Sequence, residues 1–578
     1  DALPILSYFL KVTPQKGRTY LAIYYGYYNK DTKSASNRVY KALGSVETLI
    51  KKGIPNPKQH FQKVVDKLNK QEEQEKIETV TDIAPLIKAG YFPFKSLIKA
   101  IKLDEYVSYF NSVTNFEFKL EELLCALVYS RLLQPCSKSK THKEVMPYLY
   151  DKYEFSYDQL MRGLGYLGND YQKFTEITYK LTSRYFKMDL QQTYFDCTNF
   201  YFEINREDQL RRKGPSKENR KSPIVSMGLL LDNNLIPISY KLFPGNESEK
   251  PVMRDVLAEI KKRYEVKGRT ITVADKGLNC ADNIVKSRLS GDGYIFSKSV
   301  KRLPEMEKKW VLLEHGWKDV YKDDGTLHYR YKHCIDDFEY TYTDDNGVQK
   351  KVKVAEKRLV TYNPTLAKKH IMEIEKQVEK VSDKAFCIAK RSEFGDAGKY
   401  LNFEAVDSKG DKVDGFVKAY INQDKVDSDK ELAGYNMLVT SELKMPEEQI
   451  YDTYHNLWRI EESFRIMKSD LDSRPVFTST ENSIKGHFLI CYLSVFFERV
   501  LQFHVLKNEF CSNDIFNFIR NYNLVKKQET YVNMVTASPI LSKLKDMYEL
   551  PVDAAFLSES VVEKIMNSRL KLKMLHKN

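Results

Sequence analysis

The stretch Tyr451–Asp470, YDTYHNLWRIEESFRIMKSD, constrains this chain more than any other. Tyr454, Leu457, Trp458, Glu461, Phe464, Arg465 and Lys468 recur at steps of three and four, which predicts a helix carrying them on one side. Glu461 and, two turns on, Lys468 then point the same way. A carboxylate fit to hold a divalent metal stands beside an ammonium fit to hold a phosphate, an arrangement suited to cutting nucleic acid. Taken alone, an acid and a base at this spacing are also the ordinary pattern of a solvated helix face.

Two upstream segments narrow the choice. Thr193–Glu203 is rich in aromatics and predicts a strand with Asp196 inside it. Arg269–Gly277 predicts a second strand that ends at Asp275, with Gly277 supplying the turn. Two strand-borne aspartates followed by a helix-borne glutamate form the acid set of a ribonuclease H-like nuclease or transposase core.

With these residues in place, the chain resembles the insertion-sequence-four superfamily of DDE transposases. Tyr454, Glu461 and Lys468 match the tyrosine, glutamate and lysine of its YREK signature. Phe195–Thr198, Ala274–Gly277, Ile460–Arg465 and Ser473–Pro475 are most similar to its insertion-sequence sixteen-thirty-four branch. The signature arginine falls on Leu457, so Arg459 or Arg465 takes its role, or the role is absent. The resemblance covers the catalytic half well and the first 190 residues only loosely.

The resemblance implies that Asp196, Asp275 and Glu461 are catalytic and hold two Mg²⁺ ions, with Mn²⁺ as a substitute. It implies cleavage of DNA at the ends of a prokaryotic insertion sequence, at terminal inverted repeats, and joining of the 3′-hydroxyls to target DNA. Tyr454 and Lys468 would hold the phosphate beside the cut. Trp458 either packs in the core or stacks on a displaced base. The implied partner is double-stranded DNA, bound by a homodimer in the cytoplasm. Two rival readings are a metal-dependent nuclease of the same core without strand transfer, and a transposase-derived DNA-binding protein that has lost catalysis.

Charge bears on partners. Lys and Arg outnumber Asp and Glu by 92 to 79, giving +13 and a pI near 8.9, which suits a polyanion. The basic excursion Arg211–Lys221, with Arg211, Arg212, Lys213, Lys217 and Arg220, is a candidate grip on a phosphate backbone or else a solvated loop. Lys16, Arg18, Lys33 and Arg38, interleaved with tyrosines, offer a nucleic-acid surface or a packed sheet. The eight cysteines carry no Cys-x-x-Cys pair and read as reduced core residues. No run reads as a membrane span: Phe488–Phe497 is bounded by His487, Glu498 and Arg499, which predicts a buried helix. His487 is either structural or a support for the site. The chain opens at Asp1 without methionine, which points to a trimmed start.

At 578 residues the chain predicts several domains. The expected fold is α/β: a ribonuclease H-like catalytic core interrupted by a β-rich insertion domain, preceded by a small β sheet and a helical DNA-binding region. The divisions are 1–56 for the β sheet, 57–190 for the helical region, 191–299 and 449–510 for the two parts of the core, 300–448 for the insertion, and 511–578 for a helical C-terminal region. The long gap between the second aspartate and the glutamate requires a folded insert, because an unstructured connection of that length is uncommon.

Overall fold

The computed structural model describes residues 7–15, 17–29, 34–75, 86–218, 220–266, 268–344, 346–382, 388–390, 397–405, 416–527 and 529–575. It divides into two compact units, residues 1–85 and 86–578.

The first unit is an antiparallel sheet of β1 (Ser7–Gln15), β2 (Arg18–Asn29) and β3 (Ser34–Ser45) in that order. Gln15 pairs with Arg18 across a turn in which Gly17 takes φ +73°, a conformation that favours glycine. Leu21 and Ile23 are buried while Tyr20 faces solvent, the alternation of a sheet with one covered face. The helix Pro57–Glu75 belongs with this sheet: the Asn69 side chain accepts from the Tyr8 N–H at 2.8 Å and donates to the Tyr8 carbonyl at 3.0 Å. The expected division at residue 56 therefore separates a helix from the sheet it covers. Arg18 and Arg38 are exposed, whereas Lys16 and Lys33 lie outside the described residues.

The second unit is mixed α/β. It opens with β4 (Leu86–Lys88) and runs through helices that include Phe92–Ala100, Leu120–Leu133, Tyr157–Asn169 and Tyr171–Thr182. Leu120–Leu133 is buried on nearly every side. Tyr157–Asn169 starts in a capping box, in which the Ser156 hydroxyl accepts from the Gln159 N–H at 3.1 Å and the Gln159 side chain accepts from the Ser156 N–H at 2.8 Å.

These helices surround Glu481–Arg499, whose wider last turns continue to Val505. Glu481–Val505 is long and apolar enough to cross a membrane by length and composition, contrary to the reading of its sequence, and 83% of its most apolar window is buried inside the fold. The expectation of a buried helix over Phe488–Phe497 holds. The helix meets Tyr157–Asn169 backbone to backbone. A Cβ on Gly486 would lie 2.2 Å from the Leu164 carbonyl oxygen, and one on Gly168 would lie 1.8 Å from that of Asn482.

The strands expected at Thr193–Glu203 and Arg269–Gly277 are present, within a longer succession of elements. β5 (Gln192–Tyr201), β6 (Ile224–Leu231) and β7 (Pro237–Pro244) form an antiparallel meander. The helix Glu249–Arg263 leads to β8 (Ile271–Ala274), and the helix Ala281–Leu289 leads to β9 (Gly293–Lys298). β5, β8 and β9 run parallel.

The segment expected as an insertion is rich in strands, but most of them do not stand apart. β10 (Lys318–Tyr321), β11 (Leu327–Thr343) and β12 (Gln349–Tyr362) are followed by the short β13 (Ile388–Lys390), β14 (Leu401–Ala405) and β15 (Phe416–Ile421), which form a separate small sheet. β16 (Tyr435–Thr440) then pairs with β12 on one side and β9 on the other. The result is one nine-stranded sheet, β10-β11-β12-β16-β9-β8-β5-β6-β7.

The C-terminal region, expected to be helical, contains β17 (Asn523–Lys527), β18 (Thr530–Asn533) and β19 (Phe556–Ser558). β17 pairs with β4, which ties this region to the start of the helical one.

Because overpacking a tight helix contact costs about 1–3 kcal/mol, Gly486→Leu is expected to lower the thermal midpoint clearly. Calorimetry showing an unchanged midpoint would contradict the close approach at Leu164.

Candidate functional site

Asp196 lies within β5, and Asp275 follows the last residue of β8. The strands are parallel and pair Phe195 with Ala274, so the two aspartates occupy the next matched position of adjacent strands, which run about 4.8 Å apart. Burial pushes the Asp196 carboxyl up to about 6; Lys217 and the Cys197 N–H oppose the shift, and the negative charges of Glu249 and Asp275 add to it.

Tyr454 connects this pair to the downstream helices, its hydroxyl donating to Asp275 Oδ1 at 3.2 Å. Burial first, and then the charge of Asp275, push the Tyr454 hydroxyl well above its ordinary range, with Glu461 adding to the rise. The start of the segment is anchored on the sheet. Tyr451 stacks on Tyr329 of β11 with ring centroids 3.7 Å apart, and Lys357 of β12 donates to the Met445 carbonyl at 2.8 Å.

The predicted single helix is in fact three pieces. Glu447–His455 ends at a turn through Asn456 and Leu457, Trp458–Arg465 follows, and Ile466–Asp470 is a widened π-type turn. Around the turn the backbone bonds shorten to three-residue steps, Leu457 N–H to Tyr454 carbonyl and Ile460 N–H to Leu457 carbonyl, both at 3.0 Å.

The expected face divides accordingly. Leu457 and Phe464 are buried with Ile460 and Met467, whereas Trp458, Glu461 and Arg465 are exposed. A stripe seven residues long at three- and four-residue steps is wider than the core can cover. Trp458 is thus not a core residue; it is 48% exposed, with the Arg459 guanidinium 3.8 Å from its ring centre.

The adjacent acids have different surroundings. Among the described residues Glu461 makes no ion pair or hydrogen bond. Glu462 Oε2 meets Arg459 Nη1 and Arg499 Nη2, each at 3.0 Å. Burial alone would raise the Glu462 carboxyl, but Arg499 and Arg459 outweigh it and hold it below the usual range. Arg499 is fully buried, bonded to Gln502 at 2.6 Å and lying 3.7 Å from Glu498, which is itself fully buried.

Lys468 lies over the Phe200 ring at 5.4 Å and 3.5 Å from Glu218 Oε1. Burial and then Lys217 push its ammonium down to about 8, while Asp196 counters the shift. Arg459 and Arg465 are both engaged with acids: Arg459 with Glu462, and Arg465 with Asp470 at 3.2 Å.

The basic excursion is not uniform. Arg211 turns back onto Asp208 and the Phe202 ring, and the Arg212 backbone bridges to Ile224. Lys213 is exposed, and Arg220 lies 4.1 Å from the Tyr201 ring centre. Lys217 donates to the Cys197 carbonyl, lies 3.9 Å from Glu249, and its charge acts on Asp196.

His487 is distant from this chemistry in its bonding. It is buried, donates from Nε2 to the Ser473 carbonyl at 3.1 Å, and meets the Lys138 ammonium at Nδ1 at 3.4 Å. Burial, with Lys138 and Arg131 nearby, holds its ring neutral. Its role is to fix the turn that follows Lys468. Lys138 is itself buried there.

Glu249, Glu218, Arg474 and Arg499 have pairings that give them a place around these acids which their sequence positions do not mark. Glu249 opens a helix after Pro244-Gly-Asn and lines a cleft of about 400 Å³ with Asn199, Ser216, Lys217, Lys250 and Gly277. Among the described residues no group of three or more His, Cys, Asp or Glu side chains is placed to hold a metal ion. Two carboxylates fixed on matched strand positions, one of them made unfavourable by burial, are oxygen donors of the kind a hard cation takes.

With this geometry in view, the family model of the transposase DDE domain matches residues 195–497, just over half the chain. The chain belongs to that family. Comparison with curated proteins returns no match. The matched span of this DDE transposase runs from Phe195, beside Asp196, to Phe497 in the core helix, and so contains the acids, Tyr454 and Lys468. The seven described cysteines are free; Cys125, Cys197 and Cys491 are buried, Cys511 is exposed, and Cys387 lies outside the described residues.

Removing one partner of a buried ion pair costs about 3–5 kcal/mol, whereas an unpaired exposed acid contributes little. Arg499→Met is therefore expected to lower the denaturation midpoint strongly and Glu461→Gln to leave it nearly unchanged. Equal destabilisation by the two substitutions in thermal melts would contradict the different surroundings of Glu461 and Glu462.

Proposed function

We propose that this DDE transposase serves a prokaryotic insertion sequence of the insertion-sequence-four superfamily, in its sixteen-thirty-four branch. In this reading the central strands and the helices that follow form a ribonuclease H-like core. The protein binds terminal inverted repeats, cuts DNA at the element's ends and joins the freed 3′-hydroxyls to target DNA. The observation that carries the reading is the matched position of Asp196 and Asp275 on parallel neighbours, with Tyr454 tying Asp275 to the helix Glu447–His455, which precedes that of Glu461.

Asp196, Asp275 and Glu461 would hold two Mg²⁺ ions, or Mn²⁺ in their place. Bound there, such ions supply Lewis-acid polarisation of the phosphate and activation of the attacking oxygen. The chain's own residues do the rest. Tyr454 orients Asp275 through its hydroxyl, and Lys468 presents a cation toward the strand. Trp458, exposed on one ring face, offers a stacking surface for an unpaired base. Lys213, Lys217 and Arg220 add phosphate contacts at the rim. Two copies acting on two ends would make a homodimer on double-stranded DNA.

Asp275→Asn is expected to reduce Mg²⁺-dependent cutting of the inverted repeats that flank the gene by several orders of magnitude while binding to the same DNA stays nearly intact, because an amide weakens metal coordination and leaves the cationic contacts in place. Loss of binding equal to loss of cutting would overturn the assignment. Offering a pre-cut end and a supercoiled target separates transposase from nuclease: joined product supports the former, and cutting without joining the latter.

A further inference from the structure

Glu218 is the only acid in the stretch Arg211–Lys221, which otherwise carries six cations. It does not pair with the lysine beside it. Instead Glu218 Oε1 lies 3.5 Å from Lys468 Nζ and contacts Arg474 Nη1, two cations that enter from about 250 residues further along. Both cations rest on the aromatic end of β5, Lys468 over Phe200 and Arg474 over Tyr201 with its ring centre 6.0 Å away, and Arg220 covers the same tyrosine.

The backbone that presents Lys468 and Arg474 is held from behind. Arg131, itself buried, donates to the Leu471 carbonyl at 3.1 Å, and His487 donates to that of Ser473. The cations are therefore fixed. Glu218, by contrast, sits in a turn outside any helix or strand, its N–H donating to Ser216 Oγ at 3.2 Å.

We propose that Lys468 and Arg474 form a clamp for one phosphodiester of a nucleic-acid strand, and that Glu218 is its resting occupant, displaced when the strand binds. This rests on the reading of the site as one that handles DNA. A carboxylate and a phosphodiester carry the same single negative charge and both present two oxygens, and a guanidinium fork accepts either. Lys468, Arg474 and Glu218 keep only 14%, 25% and 26% of their side-chain surface exposed, so two cations left without an anion there would be poorly solvated. Glu218 balances them while the site is empty. The same carboxylate competes with every incoming phosphate, so a strand held only at this point binds weakly.

The test is fluorescence anisotropy of the full chain on a random-sequence duplex without divalent metal, over a series of salt concentrations. Glu218→Gln is expected to tighten binding roughly fivefold. Glu218→Asp, which keeps the charge but withdraws it by one methylene, should change binding in the same direction and serves if the first variant does not fold. Lys468→Gln and Arg474→Gln should each weaken binding and reduce the salt slope by about one. In either of those backgrounds the gain from Glu218→Gln should vanish, since its effect acts through the clamp.

Unchanged affinity in Glu218→Gln, or a gain that persists in full without Lys468 or Arg474, overturns the clamp while leaving the DNA reading in place. Wild-type affinity in all of these variants would overturn the nucleic-acid reading of the site as well.

Discussion

Parallel pairing of β5 with β8 is the constraint on which the candidate site depends. Matching Phe195 to Ala274 makes Asp196 and Asp275 neighbours, and slipping the register by one residue would turn one carboxylate to the opposite face of the sheet. Both strands lie well inside the nine-stranded sheet, and β6, on the far side of β5, is buried along its whole length, so hydrophobic burial fixes the register on which the acids rely. The helix Glu447–His455 is tied to these strands through side chains: Tyr454 bonds to Asp275 and Tyr451 stacks on Tyr329.

The helix of Glu461 is set from two sides. Ile460, Phe464 and Met467 pack inward, and Glu462 is caught between Arg459 and the buried Arg499. Adjacent helix residues point about 100° apart, so tying down Glu462 leaves Glu461 turned to solvent without a partner. Charge is similarly matched further along, where Lys217 faces Asp196 and Glu249, and Glu218 occupies Lys468 and Arg474. Lys217, Lys468 and Arg474 are thus each neutralised by an acid of the same chain.

Much of this was legible in the sequence, because the strands at 192–201 and 271–274 and the buried helix at 481–499 follow directly from aromatic and apolar patterning. The division of Tyr451–Asp470 into three pieces was not, since a turn at Asn456 and Leu457 keeps helical backbone angles and leaves no glycine or proline to mark it. Nor did the sequence reveal that β16 would join β9, because strand partners far apart in the chain are set by tertiary packing rather than local pattern. No site role was legible for Glu218, Glu249, Arg474 and Arg499 for the same reason: they pair across long separations, and a lone charged residue looks like surface. Lys138 and Trp458 show the limit from both directions, the lysine turned inward to His487 and the tryptophan outward to solvent.

The proposed chemistry requires that Asp196 and Asp275 form a cation site. Anomalous diffraction from crystals soaked in Mn²⁺ tests this most directly, because the signal reports the ion and not the protein. The account predicts a peak between the Asp196 and Asp275 carboxylates, lost in crystals of Asp275→Asn. Peaks confined to other acids, or none at this position under saturating Mn²⁺, would contradict it.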